Sequence, residues 1–194
     1  MGCDFLKIVL ASASERRQEL LNRLVENFTI IVSEFDESLV EFQGDLSEYV
    51  ENIALGKAKD VVDRVKQDAI IIAADTIVTL ENDILGKPKD KDDAFRMLKM
   101  LSGRVHKVYS GLVLINTSNG RVIKTSLATE VKFSSLTDEE IIKYINSGEP
   151  LDKAGAYGIQ GKGGIFVEEI RGCYYNVVGL PLNKLKYMLN EIIW

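Results

Sequence analysis

The chain has 194 residues, 46% hydrophobic and 27% charged, with a formal net charge of −5. That is the balance of a soluble globule able to bury about 70% of its unfolded surface, and its acidity argues against binding to a nucleic-acid polymer. Two cysteines without CxxC spacing, Cys3 and Cys173, and a single histidine, His106, argue against a zinc site or disulfide framework; with no apolar leader and no membrane-length apolar span, a cytoplasmic location and no membrane association are expected.

Phe5 to Leu10 is a short apolar run, followed by Ala11-Ser12-Ala13-Ser14, by Glu15-Arg16-Arg17, and by Leu20, Leu21, Leu24 and Phe28 at helical spacing. This predicts strand, small-residue turn and helix start, where free N–H groups and the positive helix end can meet an anion. Helix capping alone accounts for Ser14 and Glu15. Arg16 and Arg17 oppose the helix dipole, a cost that an anionic ligand removes. Ile30 to Glu37 predicts a second strand whose end, Asp36-Glu37, also reads as a solvated turn. Leu46 to Val65 predicts a helix with the apolar stripe Leu46, Val50, Ile53, Ala54, Ala58, Val61 and Val65. Lys57 falls on that stripe, so it either snorkels to the rim or points into a cavity.

Ala69 to Ala74 is an unbroken apolar run rich in isoleucine, the pattern of a strand buried on both faces. Asp75 follows, and Ile77 and Val78 continue the apolar character. A carboxylate there is costly unless a cation or hydrogen bonds meet it. Asp75 is therefore either a structural turn residue or a pocket carboxylate compensated by a metal, a substrate or lysines. Lys87, in Gly86-Lys87-Pro88, is the first candidate cation.

Asp90 to Asp93 reads as a cap for a helix over Ala94 to Leu101, ended by Ser102-Gly103. Val105 to Asn116 and Arg121 to Phe133 are β-rich around the hairpin signal Ser118-Asn119-Gly120, and His106 reads as structural. Thr137-Asp138-Glu139-Glu140 is a capping box for a helix reaching Ser147-Gly148. Leu151 to Gly164 is glycine-rich and carries Lys153, Gln160 and Lys162, but holds neither a dinucleotide nor a P-loop fingerprint. Ile165 to Ile170 and Asn176 to Val178 read as strands, and Pro181 opens a closing helix with Leu182, Leu185, Leu189 and Ile192 inward. The order predicts an α/β protein with a mixed, twisted sheet and helices on both faces. No linker interrupts it, so one domain over residues 1–194, with two lobes around a central cleft, is expected.

Leu10-Ala11-Ser12-Ala13-Ser14-Glu15-Arg16-Arg17, Asp36-Glu37-Ser38, Lys57-Ala58, Ala74-Asp75-Thr76, Gly86-Lys87-Pro88 and Leu101-Ser102-Gly103 occur in that order. Lys153 to Gln160 (KAGAYGIQ) and Val178-Gly179-Leu180-Pro181 follow. Together these resemble the Maf family of nucleoside triphosphate pyrophosphatases. One departure is Glu15, where the family usually has proline. The resemblance implies a fold similar to inosine triphosphate pyrophosphatases and hydrolysis between the α and β phosphorus atoms with a divalent cation, Mg²⁺ or Mn²⁺. It implies Asp75 as proton acceptor for the attacking water, with Ser12, Arg16, Glu37, Lys57, Lys87 and Gln160 as further functional positions. Arg16, Thr76 and Gln160 look like the branch acting on dTTP and UTP. It also implies a homodimer, and members are linked to inhibition of septum formation.

The residue chemistry fits that reaction. Breaking a triphosphate concentrates charge on the leaving pyrophosphate, so preplaced cations and a metal carry the catalysis. Lys57, Lys87 and Arg16 can supply the cations, with Arg17 beside them. Mg²⁺ prefers oxygen ligands and keeps waters, so Glu37, with Asp36 in reserve, suffices. Gln160 can read a pyrimidine edge while Thr76 shapes the pocket. Two other readings stay open: a non-enzymatic nucleotide sensor, which would lack the base or the metal ligand, and a pyrophosphatase for modified purine nucleotides.

Overall fold

The computed structural model describes residues 6–81 and 83–193, so Cys3 and the Phe5 start of the first expected strand lie outside it. The elements run β1 (Lys7–Leu10), α1 (Glu15–Asn22), β2 (Thr29–Ile30), α2 (Leu46–Val62), β3 (Ala69–Leu80), β4 (Asp83–Leu85), α3 (Lys91–Leu101), β5 (Val105–Asn116), β6 (Val122–Phe133), α4 (Asp138–Ile145), β7 (Val167–Arg171), α5 (Tyr174–Val178) and α6 (Leu182–Ile193). The sheet order is β2-β1-β3-β5-β6-β7, with β4 paired to β3. β1 lies parallel to β2 and β3, whereas β4 and β7 run antiparallel to β3 and β6. The protein is thus α/β with a mixed sheet. Among the described residues, no helix is long and apolar enough to cross a membrane.

The chain divides into two compact units. The first holds Met1–Asp75, Ser110–Leu127 and Gly179–Trp194; the second holds Thr76–Tyr109 and Ala128–Val178. In the first, Ala54, Ala58 and Val61 of α2 pack with Val9, Ile71, Ala73, Val113 and Ile115. Alternation along β3 sends Ile70 and Ile72 to the opposite face, and these are equally buried. That is why this stretch is apolar at every position rather than every second one.

The second unit is built around Val78, Leu80, Val131 and Phe133 of the strands, with Leu98 and Leu101 of α3 and Ile141 and Tyr144 of α4. The predicted caps are present. The Asp90 side chain accepts from Asp93 N, and Thr137 and Glu140 form a reciprocal capping box. His106 is structural as read: it is 1% exposed, and its Nε2 shares a 2.9 Å hydrogen bond with the Tyr157 hydroxyl. Burial lowers its pKa from 6.5 to about 4. The unfolded chain therefore binds a proton that the folded chain refuses between those values. Stability is expected to fall by up to about 1.4 kcal/mol per pH unit, steepest midway, as pH drops from 6.5 towards 4 on account of this residue. Thermal melts of the wild type and His106→Gln across that range check this: the variant should show a shallower decline, whereas parallel curves would contradict the assignment.

Three expected strands differ. The segment expected as a strand from Ile30 to Glu37 pairs only through Thr29–Ile30, and Glu37–Leu39 is a 3-10 turn. The reason is Asp60 of α2, whose Oδ2 accepts from Ser33 Oγ at 3.1 Å and from Glu34 N at 2.8 Å, taking up a donor that a ladder would use. Asn176 to Val178 belongs to helix α5, with Asn176 N donating to Cys173 O; so short an apolar run fits either element by pattern. Ile165 and Phe166 end a 3-10 helix, and strand β7 starts at Val167.

Candidate active site

In the first unit the buried run of β3 delivers Asp75, 6% exposed, to the middle of a strand covered along nearly its whole length. The cation that meets it comes from α2. Lys57 Nζ lies 2.7 Å from Asp75 Oδ1 and 2.7 Å from Glu37 Oε1. The side chains of Lys57 and Asp75 are 13% and 9% exposed, while that of Glu37 is 55% exposed, so the group has a buried end and a wet end. Lys57 neither snorkels away nor stands alone: it bridges two carboxylates.

Glu37 reaches Lys57 because its segment is pinned to α2 at two points. One is Asp60, which also takes Arg64 Nη2 at 2.5 Å while that guanidinium donates to Val32 O at 2.8 Å. The other is Phe35, whose ring lies so close to Gly56 that a Cβ there would sit 2.3 Å from it. Only glycine permits that approach. Asp36 serves the turn instead, accepting from Ser38 N at 3.0 Å and Ser38 Oγ at 2.7 Å, which holds its carboxyl below the usual range.

The turn between β1 and α1 is tied to β3 by Ala11 N donating to Ile72 O at 2.8 Å. Ser12, 7% exposed, accepts from Ser14 N at 3.2 Å and Arg17 Nη1 at 3.4 Å. Arg17 Nε donates to Gly179 O at 3.0 Å. Burial lowers the Arg17 pKa, Asp75 and Glu37 oppose that, and Arg16 adds to it, so these groups share one electrostatic field. Arg16 is half-buried. Tyr49, two turns before Lys57 on α2, also lies in this field: burial first, then Asp75 and Glu37, raise its pKa. Local pattern did not single out Tyr49, although its place on the helix of Lys57 was a usable signal.

The second unit carries Thr76, half-buried next in chain to Asp75, and the exposed Lys87 and Gln160. Gly155 N donates to Gly86 O at 3.0 Å, which joins the segment preceding Gln160 to the one carrying Lys87. Ser12, Arg17, Glu37, Lys57 and Asp75 are thus gathered in one unit, and Lys87 and Gln160 sit on linked segments of the other.

For a divalent cation the donors at hand are carboxylate oxygens, without imidazole or thiolate. Among the described residues no group of three His, Cys, Asp or Glu side chains gathers to hold an ion alone. This donor set fits a hard cation that takes its remaining ligands from water and phosphate.

The fold and this buried carboxylate–ammonium group define an α/β protein with a charged site partway along a central strand. A HAM1 protein from Coxiella burnetii shares the fold alone, with a TM-score of 0.50 at 16% identity, covering 96% of this chain and 100% of that one. The chain belongs to the Maf-like protein family, which matches residues 7–192. It is 69% identical over 188 residues to a dTTP/UTP pyrophosphatase of Clostridium botulinum strain Eklund 17B, covering 97% of this chain and 100% of that one. It is 65% identical over 187 residues to a dTTP/UTP pyrophosphatase of Clostridium beijerinckii, covering 96% and 100%.

Proposed function

We propose that this chain hydrolyses nucleoside triphosphates, dTTP and UTP foremost, to the monophosphate and pyrophosphate, with residues 1–194 acting as one cytoplasmic pyrophosphatase domain that assembles as a homodimer. The observation that carries the chemistry is Lys57 held 2.7 Å from both Asp75 and Glu37. The names of the full-length relatives support the substrate choice.

In this reading Asp75 is the base. Its burial against Lys57 keeps the carboxylate oriented and its charge partly balanced until a water is presented. Lys57 then has two tasks: it fixes Asp75, and it offers positive charge to the phosphates. Glu37, at the wet end, with Asp75 behind it, would hold Mg²⁺ or Mn²⁺. When bound there, the ion would supply neutralising charge for the phosphoryl oxygens and Lewis acidity towards water. Asp36 is left to the turn. Ser12 and the first turn of α1 receive phosphate oxygens, Arg16 faces them, and Arg17 braces the turn while adding to the field. Lys87 takes the leaving pyrophosphate, and Gln160 with Thr76 reads the pyrimidine edge.

The test is pyrophosphate release from dTTP, UTP, CTP, 7-methyl-GTP and inosine triphosphate, with Mg²⁺ and with chelator. Fast release from dTTP and UTP that the chelator abolishes is expected. Release from a purine nucleotide in their place would overturn the roles given to Arg16, Thr76 and Gln160.

A further inference from the structure

The glycine-rich loop from Gly158 to Gly163 directs backbone N–H groups at an anion, as phosphate-binding loops do. Here the anion belongs to the protein. Glu149 follows Gly148 beyond α4. Its Oε2 accepts from Lys162 N at 2.9 Å, and its Oε1 accepts from Gly163 N at 3.2 Å and from the Tyr144 hydroxyl at 2.9 Å. Tyr144 Oη in turn accepts from Gly158 N at 3.1 Å. Lys153 Nζ donates to the Glu149 carbonyl at 2.8 Å, bracing the other side. Both ends of the loop are therefore tied to one carboxylate–phenol pair, and the exposed Gln160 lies between the ties.

The glycines are what allow this. A Cβ on Gly161 would lie 2.4 Å from Glu149 Oε1, and one on Gly163 would lie 2.6 Å from the Tyr144 hydroxyl. Burial pushes the Glu149 carboxyl up, but the bonds from Lys162, Gly163 and Tyr144 outweigh it and leave it below its ordinary value. The carboxylate is thus kept charged and loaded with donors at neutral pH.

We propose that Glu149 is a positioning residue for nucleotide recognition, a built-in anion that clamps the Gly158–Gly163 loop so that Gln160 is held in one place to read the base. This rests on the base-reading role given to Gln160 above. Glu149 itself does not touch the nucleotide. A purely structural role would change thermal stability alone; a positioning role changes KM through Gln160.

The experiment is a cycle of wild type, Glu149→Ala, Gln160→Ala and the double variant, with kcat and KM for dTTP and a thermal melt of each. Each single variant is expected to raise KM about tenfold with kcat changed by no more than about twofold. The double variant should be no worse than Gln160→Ala, because a loosened loop no longer matters once its reader is gone. Glu149→Gln, which cannot accept at both oxygens, should fall in between. If Glu149→Ala does not fold, Tyr144→Phe cuts the tie to Gly158 while keeping the carboxylate, and should raise KM by a smaller factor. Unchanged KM in Glu149→Ala or Tyr144→Phe, with a raised KM in Gln160→Ala, overturns the clamp and leaves the Gln160 reading standing. Multiplying effects in the double variant, about a hundredfold, also overturn it. Unchanged KM in Gln160→Ala removes the base-reading role and the clamp with it.

Discussion

Asp75→Asn is expected to lower dTTP turnover by about a hundred- to ten-thousandfold, the range a positioned general base contributes, while the protein still folds and binds the triphosphate. The substitution is close to isosteric. It keeps an oxygen that can face Lys57 Nζ, now 2.7 Å from the carboxylate, and Glu37 remains as a second anionic partner for that ammonium. The buried middle of β3 is therefore not left with an uncompensated charge, and thermal stability should hold. What disappears is the basic site itself. Single-turnover kinetics with equilibrium binding of dTTP separate the two: normal affinity with slow chemistry is the expected outcome, and near-normal turnover would refute Asp75 as the base.

Lys57→Met is expected to do more damage, because it harms both structure and chemistry. Methionine fits the apolar stripe of α2 beside Ile53 and Val61, both buried, so packing is retained. The charge is not. Asp75, 6% exposed, then faces Glu37 with no ammonium between them, at a cost of about 2 kcal/mol for a partner stripped from a largely buried pair with one wet end. Activity should fall by at least about a thousandfold, since one change removes the support of Asp75 and a cation for the phosphates. A double variant, Lys57→Met with Asp75→Asn, should regain part of the lost stability and none of the activity. Denaturant unfolding of all three variants reads this directly; a double variant no more stable than Lys57→Met would show that the pair is not coupled.

Much of this site was legible in local pattern. The apolar stripe of α2 placed Lys57 on an inward face, and the unbroken run before Asp75 marked a buried carboxylate needing compensation. Joining the two required the structure: the residue features allowed a lysine, a metal or a substrate as partner, and Lys87 stood nearer in sequence. Long strands, the Thr137 capping box and the turn at Ser118-Asn119-Gly120 were readable because each rests on residues within a few positions. The Ile30–Glu37 segment, misread as a strand, depends on a distant partner. Ser33 and Glu34 send their hydrogen bonds to Asp60, on another element, and nothing local reveals that. Glu149 reads locally as a turn residue between Gly148 and Pro150; its grip on Lys162 and Gly163 appears only in three dimensions. The glycine-rich loop carries no known phosphate-binding fingerprint, and its own internal anion had no sequence signature.

The most direct test of the central claim is product identity. Incubation of the protein with dTTP and Mg²⁺, followed by separation of the nucleotides and phosphates, should give thymidine monophosphate and pyrophosphate in equal amounts from the first time point, and none with chelator present. Thymidine diphosphate with inorganic phosphate would place the cut at the γ phosphorus and contradict the account.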